Sequence, residues 1–193
     1  MVLAFNAAKS RGLWWGIFLG ALVPLVLLIF AAVQGRLGAD PAKEIILDLG
    51  LWAAIFIWTS LFVTPVRRRL GVSWLVRYRR MLGLYGFFYA VLHLLAFATF
   101  LVGWRWDLLL KELVERPYIL VGALAIVLLI PLAVTSTKAM QKKLGKQWVR
   151  LHKLVYLIAG LVLVHIIWMI RASFQDALLF GVLLLLAYGE RLL

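Results

Sequence analysis

No cysteine occurs in the 193 residues, and that removes a branch of chemistry at the outset. Structural disulfides, thiolate metal sites, iron–sulfur clusters and c-type haem attachment all need the thiol. Negative charge is also scarce: 8 Asp and Glu stand against 21 Lys and Arg. None of the acidic residues falls in the apolar parts of the third to fifth hydrophobic runs, so a carboxylate proton relay lacks its parts. No glycine-rich phosphate loop sits in a strand–helix setting, and no serine pairs with histidine in a hydrolase context. The three histidines have no carboxylates at similar depth, which makes a zinc hydrolase a poor fit.

Apolar sequence is what the chain has in plenty. Hydrophobic residues make up 65% of it, with a mean hydropathy of +1.01, against the roughly 45–50% apolar content of soluble domains. So few polar groups could not cover that apolar surface in water. Six runs approach the roughly 20 residues that cross a bilayer: Trp14–Gln34, Ile45–Pro65, Met81–Trp104, Tyr118–Ser136, Trp148–Ile170 and the shorter Ala177–Gly189. They lack barrel-like alternation, and lipid leaves backbone groups to be satisfied internally, so the expected fold is an all-α integral membrane protein, a six-transmembrane-helix bundle. Lys9 and Arg11 lead into the first run without a small-residue cleavage site, so that run reads as a retained helix rather than a secretory signal. Pro24 and Pro131 lie inside helices and are expected to kink them. Trp14, Trp15, Trp104, Trp106 and Trp148 fall where interfacial anchors belong.

The net charge of +13 is distributed as a membrane protein would have it. With the N-terminus inside, the inner segments carry Lys9 and Arg11, then Arg67, Arg68, Arg69, Arg77, Arg79 and Arg80. Lys138, Lys142, Lys143, Lys146, Arg150 and Lys153 follow, with Arg191 and the lone acid Glu190 in the tail. The outer segments are nearly balanced, with Arg36, Lys43, Arg105, Lys111, Arg116 and Arg171 facing Asp40, Glu44, Asp48, Asp107, Glu112, Glu115 and Asp176. This bias places the N-terminus and C-terminus in the cytoplasm. Nucleic acid, the other partner a basic chain suggests, would want a basic face with interleaved aromatics on a soluble module.

His93, His152 and His165 all fall in or beside these runs, where an ionisable group is a functional candidate. The bland alternative is a neutral histidine bonded to a neighbouring helix. Depth separates the cases. His93 lies 13 residues beyond Arg80 and His165 lies 12 beyond Lys153, so at about 1.5 Å per residue both sit roughly 18–20 Å from the inner ends. The third and fifth helices run in the same direction, which makes the two imidazoles level, as bis-histidine axial ligation of haem iron inside a bundle requires. Ala90, Ala96 and Gly160 nearby would leave room for a macrocycle or serve ordinary helix packing. His152 sits at the cytoplasmic edge, level with the Arg77–Arg80 cluster. It is open to ligating a second, inner haem, contacting a flavin, binding a haem propionate, or being an ordinary interfacial histidine.

The stretch Arg79-Arg-Met-Leu-Gly-Leu-Tyr-Gly-Phe-Phe-Tyr-Ala-Val-Leu-His93-Leu-Leu resembles the third helix of the MsrQ family, formerly YedZ. The run from Arg116-Pro-Tyr-Ile-Leu-Val-Gly122 into Pro131-Leu-Ala-Val-Thr-Ser136 fits as well. So do Leu144-Gly-Lys-Gln-Trp148, Leu151-His152-Lys-Leu-Val-Tyr156, His165, and Val63-Thr-Pro65 with its arginines. The resemblance covers roughly helices two to five and implies a single ferric reductase-like transmembrane domain over residues 1–193. It implies b-type haem, one or two groups, held by His93, His165 and His152, together with FMN. It further implies a bacterial inner-membrane electron-transfer subunit of an oxidoreductase, with no catalytic residue assigned, that takes electrons from a cytoplasmic NAD(P)H flavin reductase or the quinone pool. These would pass to MsrP, a periplasmic molybdopterin enzyme that reduces oxidised methionine in envelope proteins. The chain departs from the larger related oxidases in having one histidine on its third helix, and it has no nucleotide-binding domain after Leu193, so a separate donor is expected. Two other readings fit the same residues: a stand-alone ferric or quinone-linked reductase, and a non-redox transporter or scaffold whose histidines serve packing.

Overall fold

A computed structural model describes residues 7–169 and Val182. Apart from Val182, the expected sixth run at Ala177–Gly189 lies outside the described residues. Among those described, the chain is all-α and contains no strand, and five helical stretches are long and apolar enough to cross a membrane: Arg11–Val33, Pro41–Leu70, Ser73–Val102, Pro117–Val134 and Lys146–Met169. Their outward faces suit lipid. Val26, Leu27, Ile29 and Phe30 in the first span are each more than half exposed, a patch that water would not tolerate.

The first span is two helices, α1 (Ala7–Gly20) and α2 (Val23–Val33), broken at Ala21 and Leu22. Pro24 causes the break, since it offers no N–H to the preceding turn. Two tyrosines from another helix repair it. Tyr85 donates its hydroxyl to the Phe18 carbonyl at 2.7 Å. Tyr89, wholly buried, donates to the Ala21 carbonyl at 2.8 Å and accepts from the Leu25 N–H at 3.3 Å. Its hydroxyl therefore occupies the rung that Leu25 and Ala21 would form in an unbroken helix. The expected kink is present, and no local pattern around Pro24 marks the distant tyrosines that plug it.

The second and third spans form a hairpin of α3 (Pro41–Leu70) and α4 (Val76–Ala96). Asp40 caps α3 by accepting from the Lys43 N–H, with Pro41 in the first turn. At the other end Gly71 takes φ +67°, the left-handed cap that stops a helix, and a 3₁₀ turn at Ser73–Leu75 leads into α4. The two helices pack closely at Gly86, where a Cβ would come within 2.7 Å of Ile57. A single π-helical segment, Phe97–Val102, extends α4. Gly103 and Trp104, at φ +61° and +59°, end the span.

Hydropathy placed Arg67–Arg80 in a loop, and here the structure differs. Arg67, Arg68 and Arg69 form the last turn of α3, while Arg77, Arg79 and Arg80 lie inside α4. Arginine is a good helix former, and its long stem lets the charge reach water from an apolar run, so the helix continues where the hydropathy signal stops.

A second hairpin follows. The amphipathic α5 (Trp106–Glu115) connects to α6 (Pro117–Val134). The short α7 (Lys138–Leu144) and α8 (Lys146–His152), hinged at Gly145, then lead into α9 (Leu154–Met169), which packs on α6. Pro131 is accommodated within α6, with the Thr135 hydroxyl donating to its carbonyl. One buried core runs through the bundle and includes Ala54, Ile57, Tyr89, Ile158 and Ala159. Basic side chains gather at the end of the bundle where α3 and α6 finish and α4 begins. The α5 segment lies at the opposite end.

Candidate haem-ligand site

His93 and His165 come together although 72 residues separate them. Their ring centres are 6.3 Å apart and their planes stand at 82°. His93 lies near the end of α4, and its Nδ1 is 2.8 Å from the Ile46 carbonyl of α3. His165 lies on α9, and its Nδ1 is 2.6 Å from the Tyr118 carbonyl of α6. A carbonyl only accepts, so each Nδ1 carries the proton and each Nε2 is left with its lone pair. A metal-binding imidazole wants this tautomer, with the second ring nitrogen donating to a backbone carbonyl.

The ring spacing can be tested against an iron. A metal bonded to one nitrogen of each ring at about 2 Å, with each ring centre roughly 1 Å farther back, separates the centres by roughly 6 Å. The observed separation agrees, and the residues present fit an axially ligated haem iron. Among the described residues no three His, Asp or Glu side chains converge, so the pair has no third ligand of the kind a zinc centre would use. Ala90 and Ala96 are buried on the His93 helix. At Gly160 an added Cβ would meet nothing within 4 Å.

Two glycines complete the arrangement, and sequence reasoning gave them no role. A Cβ at Gly50 would stand 2.9 Å from Nδ1 of His93, and one at Gly122 would stand 2.8 Å from Nδ1 of His165. The signal was available, because both glycines precede their histidines by the same interval.

The structure places His152 elsewhere, at the basic end. Its ring stacks on Trp148 with centres 3.9 Å apart, and its Nδ1 is 3.1 Å from the Trp148 carbonyl, one turn back. Trp148 is itself anchored by donating its indole N–H to the Thr135 carbonyl at 2.9 Å. The His152 Nε2 is buried without a well-formed hydrogen bond among the described residues, and the Leu132 backbone of α6 acts on the ring. Arg79 lies within electrostatic reach and donates to the Thr64 hydroxyl at 3.2 Å. No second histidine accompanies His152.

At the opposite end, Trp104, Arg105, Trp106 and Asp107 lie at the start of α5 and are exposed. Arg105 and Asp107 pair at 2.6 Å, which holds the Asp107 carboxyl below its ordinary range and raises the Arg105 guanidinium, chiefly through their hydrogen bond.

Comparison with known proteins gives a consistent set of likenesses. A family model described as "Ferric reductase like transmembrane component" matches residues 46–164. That range begins at the residue whose carbonyl holds His93 and includes His152. Among curated relatives, the "Protein-methionine-sulfoxide reductase heme-binding subunit MsrQ" of Xanthomonas oryzae pv. oryzae is 40% identical over 177 residues, 89% of this chain and 81% of the relative. The proteins of the same description from Herminiimonas arsenicoxydans and Polaromonas naphthalenivorans are each 44% identical. They cover 86% and 91% of this chain, and 77% and 81% of their own lengths. No solved structure matches.

Proposed function

The chain belongs to the ferric reductase-like transmembrane family, among its MsrQ haem-binding subunits, and from that premise we propose that it holds b-type haem between His93 and His165 and delivers electrons across the bilayer. The observation that carries the reading is the double imidazole arrangement, with each Nδ1 on a neighbouring helix's carbonyl and the ring centres 6.3 Å apart. A bound haem would supply a one-electron ferric–ferrous couple. The chain supplies the rest: His93 and His165 would hold the iron through their Nε2 atoms, and the apolar helices keep water away.

The membrane is the bacterial inner membrane, with both termini cytoplasmic and the single domain running through residues 1–193. The helix ends bearing Arg67–Arg80 and Lys138–Arg150 would then face the cytoplasm, where their charge suits the phosphate of FMN and an anionic flavin donor. Reducing equivalents come from an NAD(P)H flavin reductase or the quinone pool. The acceptor is the periplasmic molybdopterin subunit MsrP, which repairs oxidised methionine and docks on the outer end beside Trp104 and Trp106. His152 would serve an inner haem, its buried Nε2 being the available ligand atom.

The test is a reduced-minus-oxidised visible spectrum of the purified protein, with haem and flavin quantified on the same sample and MsrP added as acceptor. A low-spin b-type signal that is reoxidised by MsrP and its oxidised substrate is expected. Colourless protein from haem-supplied cells would sink the electron-transfer reading in favour of a transporter or scaffold. The family match favours a second reading, a stand-alone ferric reductase, which predicts reduction of iron chelates with no periplasmic partner present.

A further inference from the structure

We propose that Gly50 and Gly122 are positioning residues for the paired imidazoles, one position of a helical hairpin used twice. The inference rests on the haem reading above, but its geometric basis is separate from it. In an α-helix each Cα–Cβ bond tilts toward the N-terminus, so a side chain covers the turn that precedes it. The carbonyl of residue i is therefore screened by the side chain of residue i+4. Ile46 and Gly50 stand in that relation, and so do Tyr118 and Gly122. Glycine at i+4 uncovers the carbonyl, and a histidine from the adjacent helix lies over the bare turn to reach it.

The two halves repeat at one offset. Ile46, Gly50 and His93 recur 72 residues later as Tyr118, Gly122 and His165, and each histidine lies 47 residues from its carbonyl. The packing follows the same offset: Ala53, Ile57, Ser60 and Val63 of the first hairpin are buried, and so are Ala125, Leu129, Leu132 and Thr135 of the second. Among the other glycines of these helices Gly86 is as tight, but its neighbour is Ile57 rather than a histidine. An added Cβ at Gly83 would meet only the Ser60 hydroxyl at 3.9 Å, and one at Gly160 would meet nothing. At Gly50 and Gly122 it would stand within 3.0 Å of two ring atoms of the histidine. A methyl group there pushes the ring off its carbonyl and turns Nε2 away from the shared axis.

The experiment uses the full chain, purified with haem, in wild-type form and as Gly50→Ala, Gly122→Ala and Gly83→Ala. Haem retention of Gly50→Ala and Gly122→Ala should fall by roughly tenfold or more, the scale of loss when a partner orienting a metal ligand is disturbed. Any haem they keep should show an altered low-spin electron paramagnetic resonance spectrum. Gly83→Ala should match wild type in both. Wild-type retention and spectrum in Gly50→Ala and Gly122→Ala, with the paired low-spin signal lost in His93→Ala, would overturn the inference and leave the haem reading intact. Haem-free wild-type protein would instead overturn the haem reading. Membrane abundance of the apoprotein decides the matter if Gly50→Ala assembles poorly. In the background of His93→Ala the ring that clashes is gone, so His93→Ala/Gly50→Ala should accumulate as well as His93→Ala alone. An equal defect with and without His93 would show that the methyl group collides with something else, and the inference falls.

Discussion

Two histidine environments in one bundle differ in who holds the ring. His93 and His165 are each bonded to a carbonyl on a different helix, 47 residues away. The His152 ring leans on its own helix, stacking on Trp148 and bonding to the carbonyl one turn back. A side chain held from outside has its orientation fixed by the tertiary fold, and an opposing ring can be set against it with little loss of freedom. A side chain held by its own turn keeps the same posture wherever that helix sits. The lesson is that the imidazole pair is built by the packing of two hairpins, and His152 by local sequence.

The sharpest way to break this comparison is to remove a ring. His93→Ala or His165→Ala should abolish the paired low-spin signal and remove at least half of the haem per polypeptide, because one of the two imidazoles that would hold the iron is lost. Pyridine haemochrome quantification reads this, and full haem in both variants would end the pairing. His152→Ala should remove at most half of the haem and leave the paired low-spin signal in place. Loss of all haem there would mean that the basic end governs the pair. A smaller effect is expected from Trp148→Phe, which keeps a ring for stacking but gives up the indole N–H on the Thr135 carbonyl. That bond is worth about 1 kcal/mol, read as a lower thermal midpoint in detergent with haem content unchanged. The smallest effect belongs to the exposed Arg105–Asp107 pair. The Asp107 pKa is depressed in the folded chain, so its contribution is present above the unfolded value of about 3.9 and is lost as pH falls below it. Thermal midpoints of wild type and Asp107→Asn should differ slightly at neutral pH and converge below about pH 4. High salt should erase the difference as well.

Much of this organisation is legible in the sequence, for identifiable reasons. The spans announce themselves because lipid imposes long apolar runs. The matched depth of His93 and His165 follows from counting rise per residue, and the structure does bring the two rings together. Helix ends were read too short, since arginines that look like loop residues to hydropathy are good helix formers inside α4. The connection between the third and fourth spans also hid its structure. In α5, Trp106, Leu110 and Val114 form one exposed apolar line beside the exposed Asp107, Lys111 and Glu115, an amphipathic pattern too short to register as a span. Gly50 and Gly122 went unread because a glycine in a membrane helix usually signals helix–helix packing. Only the ring lying on each one gives it a further role.

The Tyr85 and Tyr89 hydroxyls have a consequence for how the chain is made. The first span leaves the ribosome before α4, with its Pro24 break already in place. Until α4 follows, the Phe18 and Ala21 carbonyls have no tyrosine to meet them in hydrocarbon. The first span is thus finished only when α4 arrives, and the tyrosines that complete it lie 67 and 68 residues beyond the carbonyls they meet, with Tyr89 one turn from His93. Insertion of the first span and its completion are separated by the synthesis of α3 and much of α4.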